Sequence, residues 1–129
     1  MANTVLKSGM VLIDSIIKSA LEEDIGSGDI TTTALIPESH VSSASLTAKS
    51  DFVLAGLPFA ERVFELVDRD LEFRALKKDG SHVKTGTVVA RVKGSTRSLL
   101  TAERTALNIL QRLSGIATLT GEYVNAVKG

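Results

Sequence analysis

Arg97, Arg104, Asn108 and Arg112 stand at spacings of seven, four and four. In an α-helix such spacings put all four side chains on one face. Thr101 and Gln111 lie beside them, and the opposite side carries Leu99, Ala106, Leu110 and Leu113. Glu103 is the only acid in this segment and falls on a different stripe. An arginine presents a planar fork of donors that fits a carboxylate or a phosphate bidentately. The face therefore suits a small polyanion, a nucleic-acid phosphate or an acidic loop, and a plain solvated face has the same pattern. No aromatic residue interleaves with the arginines, which argues against a platform for single-stranded nucleic acid.

The other chemically suggestive clusters are weaker. Gly26-Ser27-Gly28 resembles part of a phosphate loop, but it follows a helix and lacks the third glycine of the dinucleotide fingerprint. The carbonyls of a helix C-terminus also have the wrong polarity for phosphate, so the segment reads as a cap and a turn. Asp29-Ile30-Thr31-Thr32-Thr33 combines an acid with hydroxyls, yet no hydrophobic strand leads into it. Glu22-Glu23-Asp24 is a carboxylate cluster at a helix end, where acids are mildly unfavourable and a structural partner elsewhere is expected. His40 and His82 have no nucleophile or acid motif around them and read as polar loop residues. With no Cys and only these two distant His, no local metal-binding motif is formed.

These residues must be held by a small fold. The chain has 129 residues, 43% of them hydrophobic and 4% aromatic, so one compact domain with an aliphatic core is expected. Net charge is zero, but it is unevenly divided: residues 1–72 hold 12 acids and 5 bases, and residues 73–129 hold 3 acids and 10 bases. The basic half contains the arginine face. The longest apolar run, Phe52 to Ala60, is far shorter than the ~20 residues of a membrane span. With no secretory signal pattern, a cytoplasmic location is expected and no membrane partner.

Hydrophobic period predicts a first helix from about Val11 to Asp24, with Leu12/Ile13, Ile16/Ile17 and Ala20/Leu21 as its apolar stripe. Val41 to Lys49 alternates as a strand with Ala44, Leu46 and Ala48 on one face, and Phe52 to Ala55 is a second short strand. Pro58 opens a helix whose inner face is Phe59, Ala60, Val63, Phe64 and Val67. Leu71 to Ala75 and Thr87 to Lys93 are strands separated by a turn at Asp79-Gly80. Ser95 or Thr96 then caps a long helix from about Arg97 to Val127, with Ser114-Gly115 as its expected point of bending. The fold class is α+β: a small, mostly antiparallel, sandwich-like sheet packed with helices, ending in a long C-terminal helix. Ile116, Leu119, Tyr123, Val124 and Val127 overhang so small a domain, so either the helix folds back or a further segment or another chain is expected to cover them.

Four stretches carry a family resemblance: ALEEDIGSGDITT from Ala20, VLAG from Val53, DGSHVKTGTVVARVK from Asp79, and above all LLTAERTALNILQRLSGIAT from Leu99. Residues 11–129 resemble the N-terminal portion of quinolinate phosphoribosyltransferase. The resemblance implies part of an enzyme that makes nicotinate mononucleotide, pyrophosphate and carbon dioxide from quinolinate and phosphoribosyl pyrophosphate, for NAD synthesis. It implies a substrate-capping domain over residues 1–113 and a helical connector over 114–129, leading to an α/β barrel that this sequence lacks. The barrel would hold the phosphoribosyl pyrophosphate and its magnesium, so no catalytic residue, metal or cofactor is assigned here and the chain alone is expected to be inactive. A homodimer is implied, in which Arg104 reaches a quinolinate carboxylate in the partner's site; Arg97 and Arg112 inherit no role. The paralogue associated with molybdenum transport has the same plan but matches the motifs less well. Two readings of other classes stand beside this one. Asp79 to Lys93 resembles half of a lipoyl- or biotinyl-like carrier, without the modifiable lysine motif, and the long helix alone would suit a free-standing dimerisation module.

Overall fold

A computed structural model describes residues 2–26 and 35–128, with side chains for 11–24 and 35–122. In chain order the elements are α1 (Ala2–Gly26), β1 (Val41–Thr47), β2 (Phe52–Val53), α2 (Leu57–Val67), β3 (Glu72–Ala75), β4 (His82–Val83), β5 (Val88–Ser95) and α3 (Thr96–Lys128). The expected α+β class holds, with one more strand than the sequence pattern predicts. That strand is β4, which places His82 in a strand rather than a turn. Two residues are too few to give an alternation that can be read.

All strand pairs are antiparallel. β5 lies between β1 and β3 in a three-stranded sheet, and β2 pairs with β4 in a separate ribbon. The register sets Ala44 and Phe73 against Val92, and Leu46 and Ala75 against Ala90. Apolar side chains from three strands thus share one face, as alternation requires. The helices cover that face: Leu57, Ala60, Val63 and Phe64 of α2, Leu99, Ala102, Ala106 and Leu110 of α3, and Ile17 and Leu21 of α1 are all buried. Phe64 and Phe73 form a tilted ring pair with centroids 5.9 Å apart.

Two apolar expectations need correction. Phe59 is exposed, because it lies about 100° from the centre of the buried arc of α2. On α1 only the row Ile13–Ile17–Leu21 packs inward, while Leu12 is 62% and Ile16 60% exposed. The packed side of α1 meets α2 and α3 along a single row, which leaves the neighbouring row uncovered among the described residues.

α2 begins at a constrained point. Gly56, its N-cap, has φ +96°, a left-handed conformation that favours glycine. A Cβ there would also lie 2.6 Å from Leu113 Cδ1 on α3. The first N–H groups of α2 are satisfied from a distance: Gly56 and Leu57 donate to the two Asp79 carboxylate oxygens at 3.0 and 3.1 Å. Asp79 therefore does more than open a turn, since its charge also sits at the favourable end of the helix dipole. Arg62 of α2 reaches α1, donating to both Asp14 oxygens at 2.8 and 2.7 Å and to Glu65 at 2.9 Å.

α3 runs uninterrupted through Ser114 and Gly115. Beyond them Ile116 and Leu119 are exposed, as expected. Tyr123, Val124 and Val127 lie outside the described side chains. Gly28 and the Asp29–Thr33 stretch lie outside the described residues altogether.

Candidate anion-binding face of the long helix

The buried line of α3 runs through Leu99, Ala102, Ala106 and Leu110. At about 100° per residue, Arg104, Asn108 and Arg112 project from the opposite side. All three are exposed, and so is Gln111. Arg104 and Arg112 therefore share the outward face that their spacing predicts. Among the described residues Arg112 has no ion-pair partner.

Arg97 departs from that expectation. Its side chain is half-buried: Nε donates to the Ile36 carbonyl at 2.5 Å, and Nη1 lies 3.5 Å from the Glu38 carboxylate. The guanidinium thus ties the 35–40 segment to the first turn of α3, and little of its fork remains for a ligand. His40 serves the same junction. Its Nδ1 shares a 2.6 Å hydrogen bond with Thr96 Oγ1, its carbonyl accepts the Thr96 N–H at 2.9 Å, and Ser42 bonds the same hydroxyl at 2.8 Å. Ser95 accepts the Ser98 N–H at 3.5 Å, in keeping with its expected capping role. His40 is a structural polar residue, and His82 is exposed on β4.

Two hydroxyl clamps fix how α3 is turned. Thr105, 1% exposed, donates its hydroxyl to the Asp24 carboxylate at the end of α1. On the far edge Ser114, 2% exposed, accepts the Ala55 N–H at 3.0 Å and donates to the Ala55 carbonyl at 3.2 Å. Thr118 extends that edge, accepting the Val53 N–H at 2.9 Å and donating to the Ser114 carbonyl at 2.7 Å. Thr105 and Ser114 are two and a half turns apart at about 3.6 residues per turn, so they mark opposite sides of the helix. The arginine face lies between them, directed away from the core. A structural partner such as a basic residue is expected for the Glu22-Glu23-Asp24 cluster; the Thr105 hydroxyl is a neutral one. No feature of the local sequence pattern singles out that pair.

Two clefts lie among the described residues. One, of about 280 Å³, lies between the β1–β2 connection and α3 and is lined by Leu46, Phe52, Leu54, Leu107, Leu110 and Gln111 among others. The second is a more open groove of about 320 Å³ beside β2, β4 and α3, with His82, Lys84 and Glu122 in its walls. Arg104 lines neither. Among the described residues no three His, Asp or Glu side chains gather in a way that could hold a metal ion.

The strongest electrostatic perturbations lie away from this face. Hydrogen bonds from Arg62 hold the Asp14 carboxyl below its usual pKa, and the Thr85 N–H and hydroxyl do the same for Asp51. The Asp14 and Glu65 carboxylates in turn raise the Arg62 pKa.

Residues 29–114 match the family model described as quinolinate phosphoribosyl transferase, N-terminal domain. The chain belongs to this family. A nicotinate-nucleotide pyrophosphorylase (carboxylating) from Synechocystis, named as probable, is 46% identical over 117 residues, which is 91% of this chain and 39% of that protein. The chloroplastic enzyme of that name from Arabidopsis thaliana is 42% identical over 109 residues, 84% of this chain and 31% of that protein. The crystal structure of NadC from Streptococcus pyogenes superposes with a TM-score of 0.86 at 45% identity, covering 92% of this chain and 42% of that one. The chain therefore spans about two-fifths or less of these relatives. As a quinolinate phosphoribosyl transferase N-terminal domain it includes β1 to mid-α3, and so Arg104, within the matched region. The carrier reading loses its physical basis, because β4 and β5 belong to different sheets. No described helix is long and apolar enough to cross a membrane.

Proposed function

We propose that this chain is the substrate-capping part of a two-domain phosphoribosyltransferase, which converts quinolinate and phosphoribosyl pyrophosphate to nicotinate mononucleotide, pyrophosphate and carbon dioxide. The observation that carries the reading is the setting of Arg104: exposed on the long helix, on the side opposite the buried line of Leu99, Ala102, Ala106 and Leu110. An arginine so placed is suited to complete an anion site built by another part of the assembly. In this reading Arg104 binds one carboxylate of quinolinate in the site of a partner subunit in a homodimer. The phosphoribosyl pyrophosphate and magnesium are held by a barrel outside these residues, and the chain by itself has no turnover. The site of action is the cytoplasm.

Arg104 contributes binding that is already present in the ground state, so its loss falls mainly on KM. In the intact enzyme Arg104→Ala is expected to lower kcat/KM for quinolinate about tenfold or more, as loss of a charge-assisted pair implies. The KM for phosphoribosyl pyrophosphate and the melting temperature should change little. Steady-state kinetics with each substrate varied in turn checks this, and unchanged quinolinate kinetics removes Arg104 from the site. Sedimentation of the intact enzyme tests the dimer, and a monomer with full activity removes the in-trans role.

A further inference from the structure

Asp24 stands in an unfavourable place. It ends a run of three acids at a helix C-terminus, where the backbone carbonyls and two adjacent carboxylates all disfavour negative charge. The stability of α1 alone does not explain it. Thr105 poses the matching question from α3, because a hydroxyl almost fully buried in an otherwise aliphatic interface must find a partner or carry a desolvation cost. The two groups resolve each other, the Thr105 hydroxyl donating to the Asp24 carboxylate. The bond crosses between elements at the turn of α3 that carries Arg104.

We infer that Asp24 and Thr105 are positioning residues for Arg104. Their bond fixes the rotation of α3 at that turn, as Ser114 and Thr118 fix it on the opposite edge. Held at both edges, the helix cannot roll to bring the guanidinium off its line. The inference rests on the reading of Arg104 as the contact to a dicarboxylate substrate. A fork-to-carboxylate pair depends steeply on direction, so a small roll of α3 weakens it without touching the chemistry.

The test is a double-mutant cycle in the intact enzyme. Thr105→Val keeps the shape and removes the hydroxyl, and Asp24→Ala removes the acceptor. Each is expected to raise the KM for the dicarboxylate roughly three- to tenfold, with kcat and the KM for phosphoribosyl pyrophosphate within about twofold. The double variant should be no worse than the weaker single one, and Thr105→Ser should restore the wild-type value. A packing role alone would lower the melting temperature with no change specific to the dicarboxylate, and that result overturns the inference. So do additive effects in the double variant, or failure of serine to rescue. Arg104→Ala, run in parallel, separates the two readings. If it raises the dicarboxylate KM while Thr105→Val and Asp24→Ala do not, only the positioning role fails; if it changes nothing, the reading of Arg104 itself fails.

Discussion

Ser114 and Thr118 do for the backbone of residues 53–55 what a neighbouring strand would otherwise do. β2 has β4 on one edge, and on α3 two hydroxyls meet the Val53 and Ala55 amides. Both side chains are short enough to lie flat against the helix and still bond across it. Ser114→Ala leaves the half-buried Ala55 amide and carbonyl without that partner. The expected cost is about 1–3 kcal/mol, read as a lower urea midpoint at unchanged m-value. Arg104 obeys another logic at the same scale. It is exposed and contributes little to the core, so its loss is expected to show in substrate kinetics rather than in stability.

Among the elements, α2 and α3 approach so closely that a glycine is required between them. Gly56→Ala would place a methyl group against Leu113 in a backbone conformation that alanine adopts poorly. We expect a loss of about 2–4 kcal/mol, from strain and overpacking together, measured by thermal or denaturant unfolding. Helices and strands with several periods were legible in the sequence: the alternation of Ala44, Leu46 and Ala48, the stripe of α3, and the outward arginine face all follow from spacing. What escaped was non-periodic or remote. β4 has two residues, the cap from Asp79 arrives 22 residues after Leu57, and the Asp24–Thr105 bond joins positions 81 apart. Arg97 misled for the same reason: its spacing puts it on the face, while a carbonyl from the preceding connection takes its guanidinium. Leu12 and Ile16 misled differently, since an apolar row is a necessary condition for burial and not a sufficient one.

Across the whole molecule, charge links the layers at the periphery while the core stays apolar, aliphatic apart from Phe64. Asp14 and Asp51 both have folded pKa values below the ordinary 3.8. Each therefore adds stability that is complete above that value and is lost as pH falls through the lower folded one. Unfolding midpoints should hold steady from neutral pH to about pH 5 and then drop toward pH 2. Arg62→Met should make that drop shallower by removing the group that depresses Asp14, and denaturant titrations at a series of pH values check it. The cap on α2 has a consequence in time as well as in energy. Because the carboxylate that satisfies its first amides belongs to residue 79, α2 cannot be completed before the β2–β4 ribbon closes the chain behind it. Helix and ribbon should thus be made in one cooperative event. If that event precedes the rate-limiting barrier, Asp79→Ala will slow refolding and leave the unfolding rate nearly unchanged, a φ-value near one that stopped-flow chevrons can read directly.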